Sequence, residues 1–96
     1  MNQAIQTTYT KYADHVSFLV KSMEESGADT VYSVSRNSGK EGLTALLHVL
    51  NDYGYRQVLV SALNSPAITG WVREEMECFL YGEAKQTAWL FKPQVH

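Results

Sequence analysis

Apolar residues recur at helical spacing over the first quarter of the chain. They are separated by alternating steps of four and three residues, and they are Ile5, Tyr9, Tyr12, Val16, Leu19 and Met23. This spacing places them on one face of an α-helix, and Gly27 lies where such a helix would stop. Phe18 and Val20 widen the apolar face, which favours packing on the protein's own sheet over pairing with a second copy of the helix. We therefore expect a monomer, with a homodimer through this first helix as the alternative.

Three short runs of β-branched, aromatic and aliphatic residues alternate with the helical patterns. They occupy residues 30–35, 57–63 and 87–91 and have the composition of β-strands. Leu46, Leu47 and Leu50 recur on one face of a second helical pattern, which predicts that they lie in the core. This pattern ends at Gly54, and Ser65 followed by Pro66 is typical of the start of a third helix. Strands joined by single helices pair in parallel through right-handed crossovers. The sequence therefore predicts one α/β domain over residues 1–96, in the order α-β-α-β-α-β, with helices packed on a three-stranded, mostly parallel sheet.

Polar residues occupy both predicted junctions between a strand and the helix that follows it. Parallel α/β sheets bind ligands at these junctions, where helix N-termini offer free N–H groups and partial positive charge. The candidate anion-binding residues are Arg36, Ser38, Gly39, Lys40, Asn64 and Ser65. The alternative is that the serines only cap helices and the cations are solvated. A P-loop of a nucleotide triphosphatase is excluded, because that motif requires glycine where the chain has Val34 and serine or threonine where it has Glu41.

The composition is that of an ordinary globular protein, with 45% hydrophobic and 19% charged residues. A formal net charge of −2 gives no overall attraction to nucleic acid or to an anionic membrane. Cys78 is the only cysteine, which excludes an intramolecular disulfide and a cysteine metal cluster and fits a reducing compartment. The start of the chain lacks the features of a secretory signal, and no run of about 18 apolar residues could span a bilayer. We therefore expect a cytoplasmic protein with no membrane partner.

The sequence contains no recognisable constellation of catalytic residues. His15, His48 and His96 lack the spacing of metal ligands, and Cys78 falls inside a predicted helix, away from the N-terminus that would activate it. Adjacent glutamates on a helix point in different directions, so they do not form a catalytic pair. The sequence thus nominates no catalytic residue, metal or cofactor, and it favours a protein that is not an enzyme.

Aromatic side chains are abundant for so short a chain, with six tyrosines and two tryptophans. Tyrosine, tryptophan and arginine dominate binding hot spots, and the third predicted helix also carries several glutamates. The candidate partner-binding residues are Trp71, Arg73, Glu74, Glu77, Tyr53 and Tyr55. The alternative is that Trp71 only widens the core face of its helix.

These observations favour a non-catalytic macromolecule-binding protein, an inhibitor, immunity or regulatory factor that covers the surface of a protein partner. The alternative is a small-ligand module that binds an anion through the two loops. A third hypothesis is nucleic-acid binding through Arg36, Lys40 and Arg56, with Tyr32 or Tyr55 stacking on bases, and the net charge argues against it.

Overall fold

The described part of the chain is helical apart from short turns in the computed structural model. The backbone is described for residues 3–91 and the side chains for residues 5–82. Within these limits there are four helices: α1 (Gln3–Ala13), α2 (Val16–Asp52), α3 (Arg56–Leu63) and α4 (Gly70–Phe91). α2 is the central element, because α1, α3 and α4 all pack against it, and α3 also contacts α4.

The predicted α/β fold is wrong, because residues 3–91 contain no β-strand. The first predicted strand, residues 30–35, lies inside α2, and the second, residues 57–63, lies inside α3. The backbone of the third, residues 87–91, belongs to α4. The protein is therefore a helical bundle, and the parallel sheet on which the helices were expected to pack does not exist in the described chain.

Burial at helical spacing explains why residues 30–35 form a helix despite their β-branched composition. Val31 and Ser35 are both buried and lie one turn apart on the same face. The Ser35 hydroxyl donates to the Val31 carbonyl at 2.8 Å, which satisfies a buried polar group within the helix. β-propensity is a weak preference that tertiary packing overrides, and here the packing fits a helical face.

The apolar run of residues 57–63 is helical for the same reason. Leu59, Ala62 and Leu63 are the buried residues of α3, and their spacing of three and four is that of a helix. A short continuous apolar run fits a buried strand and a buried helix equally well by composition alone. The neighbouring helices cover only one side of this segment, and a helix buries its apolar residues on one side whereas a strand in the centre of a sheet is covered on both.

α2 is not straight, because two residues inside it depart from helical backbone angles. Ser26 has φ −161° and ψ 67°, and Gly39 has φ 66° and ψ −157°. They divide α2 into a first segment (16–25), a second segment (27–38) and a third segment (40–52). At the first break the Ser26 hydroxyl donates to Asp29 Oδ2 at 2.8 Å, and the Thr30 hydroxyl reaches back across the break to the Ser22 carbonyl at 3.1 Å.

The second break is a sharp corner that depends on glycine. The backbone angles of Gly39 belong to a region that is nearly restricted to this residue type. Just after the corner, a Cβ added to Gly42 would lie 2.2 Å from Ser38 Cβ, so the two sides of the corner approach too closely for any larger residue. The polar stretch that predicted a junction at residues 36–40 therefore does mark a change of direction, but it joins two helical segments.

The first predicted helix is divided in two, since α1 ends at Ala13 and α2 begins at Val16. A tight turn joins them, in which the N–H of His15 donates to the Tyr12 carbonyl at 2.9 Å. Leu19 and Met23 from the predicted apolar face are buried, and Tyr12 and Val16 pack against the same core. Most of this face is therefore covered by other helices of the chain and not by a sheet, but Phe18, which was expected to widen it, is 68% exposed.

Leucines of the third segment of α2 form the centre of the core. The largest fully buried side chains are Leu43, Leu46, Leu47, Leu50, Leu59, Ile68, Met76, Val31 and Val49. α2 ends as predicted at Gly54, whose N–H donates to the Asn51 carbonyl while the N–H of Tyr55 donates to the Leu50 carbonyl. This pair of bonds is the Schellman arrangement, with glycine at positive φ. None of the described helices is both long enough and apolar enough to cross a membrane.

Candidate binding groove on the last helix

A groove of about 530 Å³ lies along the exposed face of α4, beside the third segment of α2. α4 contributes Trp71, Glu74, Glu75 and Cys78, and α2 contributes Lys40. The four α4 residues are spaced i, i+3, i+4 and i+7, so they share one face of the helix over about 10 Å of its length. We name this set of five residues the α4 groove.

Hydrogen bonds of the Tyr32 hydroxyl hold the chain just before α4 against α2. The Tyr32 hydroxyl donates to the Ala67 carbonyl and accepts from the N–H of Thr69, each at 2.8 Å. Hydrogen bonding with the side chain and backbone of Thr69 lowers the pKa of Tyr32 from its ordinary value. One phenol thus fixes the connection between α3 and α4 to the second segment of α2.

Arg73 ties the start of α4 to the end of α3. Its Nη1 donates to the Leu63 carbonyl at 2.9 Å and to the Ile68 carbonyl at 3.0 Å. Its Nε also lies 3.5 Å from Glu77 Oε2, one turn further along α4. A cation at a helix C-terminus satisfies carbonyls that have no partner within the helix. These contacts of Arg73 fix the start of α4 and, with it, the position of the α4 groove.

Farther along α4, two further contacts fix the helix. The rings of His48 and Phe79 meet edge to face, with centroids 4.8 Å apart. Arg56 Nη2 donates to the Leu80 carbonyl, and its guanidinium lies 5.9 Å from the ring centre of Tyr81. The groove face is thus one side of a helix that is held at several points along its length.

The α4 groove carries more negative than positive charge. Lys40 Nζ lies 3.7 Å from Glu75 Oε1, which is an ion pair beyond hydrogen-bond distance. Within the described residues Glu74 is exposed and takes part in no hydrogen bond or ion pair. Two carboxylates against one ammonium leave one carboxylate in the groove without a counter-charge.

Trp71 does not widen the core, because it is 49% exposed. The core positions of this helix are taken by Val72, Met76 and Leu80. A half-exposed indole at the end of a groove leaves apolar area in contact with water. The alternative in which Trp71 is only a core residue is therefore wrong.

The predicted partner-binding residues fall into two separate patches. Trp71 and Glu74 lie in the α4 groove, whereas Arg73 and Glu77 pair with each other beside it. Tyr53 and Tyr55 are exposed at the turn between α2 and α3.

The position of that turn along α4 follows from Arg56, which contacts the carbonyl of Leu80. Leu80 lies nine residues beyond Trp71, which corresponds to about 14 Å of helix. The structure therefore brings together only part of the predicted set.

The predicted anion-binding residues were expected at junctions between strands and helices, and residues 3–91 contain no strand. Arg36, Ser38, Gly39 and Lys40 lie around the corner of α2, and Lys40 faces the carboxylate of Glu75. Asn64 is the C-cap of α3, and Ser65 follows it in the turn before α4, where its hydroxyl accepts from the N–H of Ala67 at 3.2 Å.

The predicted helix start at Ser65 and Pro66 is wrong, because α4 begins at Gly70. No hydrogen bond or ion pair joins the two groups among residues 5–82. The anion site stays a prediction.

Three groove residues were not among the predicted partner-binding residues. Glu75 and Cys78 lie four and seven residues after Trp71, so helical spacing from that tryptophan could have identified them. Lys40 reaches the groove only through the packing of α2 on α4, which no local pattern indicates. No group of three or more acidic, histidine or cysteine side chains among the described residues is placed to hold a metal ion.

The chain matches no protein-family model, no curated protein and no solved structure. The residues of the α4 groove and their chemistry are therefore the basis for a functional proposal.

Proposed function

We propose that this chain is a non-catalytic binding protein that covers a basic surface of a protein partner with its α4 groove. The observation that carries the proposal is a half-exposed Trp71 beside Glu74, a carboxylate without a counter-charge in the described chain. Tryptophan is the residue type most enriched in binding hot spots, and an unneutralised carboxylate favours a cationic partner. The rigid attachment of α4 to α2 and α3 supports this role, because a preorganised surface loses little entropy on binding.

The area of Trp71 gives the size of the expected effect. A tryptophan side chain buries roughly 150–250 Å², so about half of that, roughly 100 Å², remains to be covered by a partner. At about 25 cal/mol per Å², covering it stabilises a complex by about 2.5 kcal/mol, which corresponds to a roughly 60-fold change in the dissociation constant. This is the range of a hot-spot residue.

No described contact gives comparable support to the two other hypotheses. Lys40, one of the two cations of the predicted anion site, already faces Glu75. Two observations argue against nucleic-acid binding: Arg56 already contacts the Leu80 carbonyl and the Tyr81 ring, and the groove is acidic.

Site-specific photo-cross-linking in the native host tests the proposal. A photoreactive phenylalanine analogue is introduced at position 71 and, as a matched control, at position 18. Phe18 is the control because it is 68% exposed, more than Trp71, and lines no part of the α4 groove. We expect one protein with a basic contact surface to be cross-linked from position 71 and not from position 18.

Binding measurements with the identified protein complete the test. Trp71→Ala should weaken the complex by roughly 60-fold, as estimated from its area, while Phe18→Ala leaves the affinity unchanged. Circular dichroism of both variants checks that the fold is retained. Cross-linking from position 18 alone, or an unchanged affinity for Trp71→Ala, would contradict the proposed function.

A further inference from the structure

We infer that the α4 groove receives an arginine side chain of the protein partner, and that Lys40 competes with this arginine for Glu75. The inference rests on the proposed function and names the chemistry that the groove recognises. It depends on the spacing of Trp71, Glu74 and Glu75 and on the weak ion pair that Lys40 makes.

The spacing of the three α4 residues fits a stacked guanidinium. Glu74 and Glu75 lie three and four residues after Trp71, so their Cβ atoms are about one helical turn, roughly 5–6 Å, from the Cβ atom of Trp71, and all three side chains line the groove. A guanidinium can stack on an indole with its plane while its N–H groups point outward to carboxylates. The aliphatic stem of the same side chain would pack along the groove toward Cys78.

Arginine fits this groove better than lysine does. An ammonium is compact and strongly hydrated, and it has no plane that could stack on Trp71. A guanidinium is more weakly hydrated and carries five N–H donors along its edges. Glu74 and Glu75 diverge by about 100° around the helix but both line the groove, so a guanidinium that lies between them can donate to each. The groove offers these two carboxylates and the indole together.

The ion pair between Lys40 and Glu75 is weaker than the contact expected between Glu75 and an arginine of the partner. Its ammonium is 3.7 Å from Glu75 Oε1, too far for a hydrogen bond, and its side chain is 72% exposed whereas that of Glu75 is 27% exposed. Exposed pairs of this kind contribute little. Lys40 partly neutralises Glu75 in the free protein and repels an incoming cation, so its removal should tighten binding of the arginine.

Peptide titration of the full chain tests the inference without knowledge of the partner. The probes are acetylated and amidated Ala-Leu-Arg-Leu-Ala and its counterparts with citrulline or lysine in place of arginine. Nuclear magnetic resonance follows the indole N–H of Trp71, assigned with Trp71→Phe, and the amides of Glu74 and Glu75. Citrulline is the closest control, because it keeps the shape of arginine and removes its charge.

We expect saturable shifts with the arginine peptide, and at least about tenfold weaker binding of the citrulline and lysine peptides. Lys40→Met, which keeps the apolar stem, should tighten binding of the arginine peptide by roughly two- to fivefold. Glu74→Gln should weaken it. Glu24→Gln is the matched control, since Glu24 is an exposed glutamate on the first segment of α2 and outside the groove.

The absence of saturable shifts at millimolar arginine peptide overturns the inference, and so does equal affinity for the citrulline peptide. Equal affinity for the lysine peptide overturns the choice of arginine. An unchanged or weakened affinity in Lys40→Met removes Lys40 as a competitor. The proposed function fails separately, when cross-linking from position 71 finds no partner. A partner that depends on Trp71 but not on Glu74 or on an arginine of its own would leave the proposed function intact and refute this inference alone.

Discussion

Replacing Gly39 by alanine tests the corner that divides α2. Gly39 has φ 66° and ψ −157°, a combination that side chains disfavour. A Cβ at this position would meet no atom within 4 Å, so steric contact with neighbours contributes nothing to the effect. The substitution therefore reports on the backbone angles alone.

Two opposing terms set the expected magnitude. A residue other than glycine held in such a region costs about 1–3 kcal/mol. Alanine also restricts the unfolded chain, which offsets roughly 0.4–1 kcal/mol of that cost. We therefore expect Gly39→Ala to lower the free energy of unfolding by up to about 2.6 kcal/mol. If α2 continued straight through this residue, alanine would instead raise the free energy of unfolding by roughly 0.5–1 kcal/mol. The sign of the change therefore distinguishes a corner from a straight helix.

Two other glycine positions provide the controls. A Cβ on Gly42 would lie 2.2 Å from Ser38 Cβ, so Gly42→Ala must displace one side of the corner and should destabilise more than Gly39→Ala. Gly82 lies inside α4, where a Cβ would be 3.4 Å from Cys78 Sγ, an ordinary contact. Gly82→Ala should therefore raise the free energy of unfolding by roughly 0.5–1 kcal/mol, the normal gain of alanine in a helix.

Urea unfolding followed by far-ultraviolet circular dichroism measures all three variants, with the free energy of unfolding taken by linear extrapolation. Gly82→Ala supplies the baseline for helix propensity in this protein. If Gly39→Ala instead raises the free energy of unfolding as Gly82→Ala is expected to, the corner at this residue does not exist and the packing of Lys40 beside α4 loses its basis.

Three further predictions concern the core, a surface phenol and the predicted anion site. Leu50 is fully buried, so Leu50→Ala should lower the free energy of unfolding by about 2–5 kcal/mol in the same urea assay, and a loss under about 1 kcal/mol would contradict its placement. The Tyr9 hydroxyl donates to Asp52 Oδ2 at 2.9 Å, and this hydrogen bond raises the pKa of the Tyr9 phenol. The stabilisation that the bond gives the folded protein is therefore fully present below about pH 10 and is lost as the pH rises through the raised pKa. The difference in unfolding free energy between the parent and Tyr9→Phe should thus be constant below about pH 10 and shrink above it, and a difference that grows would refute the contact. If residues 36–40 bind an anion, phosphate titration followed by amide shifts should saturate and should fail in Arg36→Ala, whereas an unsaturable response at millimolar phosphate leaves these residues as parts of the corner.

The sequence by itself determined two of the places where the chain changes direction and several leucines of the core, whereas the break between α1 and α2 was missed. The expected stop at Gly27 lies one residue from the break at Ser26, and the stop at Gly54 is confirmed by its positive φ and its paired hydrogen bonds. Leu46, Leu47 and Leu50 were expected in the core from their helical spacing, and all three are fully buried. These features are local, because glycine conformation and the period of an amphipathic helix depend on residues a few positions apart.

The sequence also placed Trp71 and Glu74 on one helix, and this required only their spacing. The type of the two short apolar segments could not be predicted in the same way. Residues 30–35 and 57–63 have the composition of strands, yet each presents a helical face to its neighbours. Composition leaves such runs ambiguous, and burial of Val31 and Leu59 between packed helices decides their form.

Only the tertiary structure brought Lys40 beside Glu75. The two residues are 35 positions apart, and their approach depends on the corner at Gly39 and on the attachment of α4 through Tyr32 and Arg73. Long-range placement of this kind comes from the packing of whole helices, because no spacing rule connects residues on different elements. The charge balance of the α4 groove is therefore a property of the fold, whereas its tryptophan and its carboxylates can be read from the sequence of one helix.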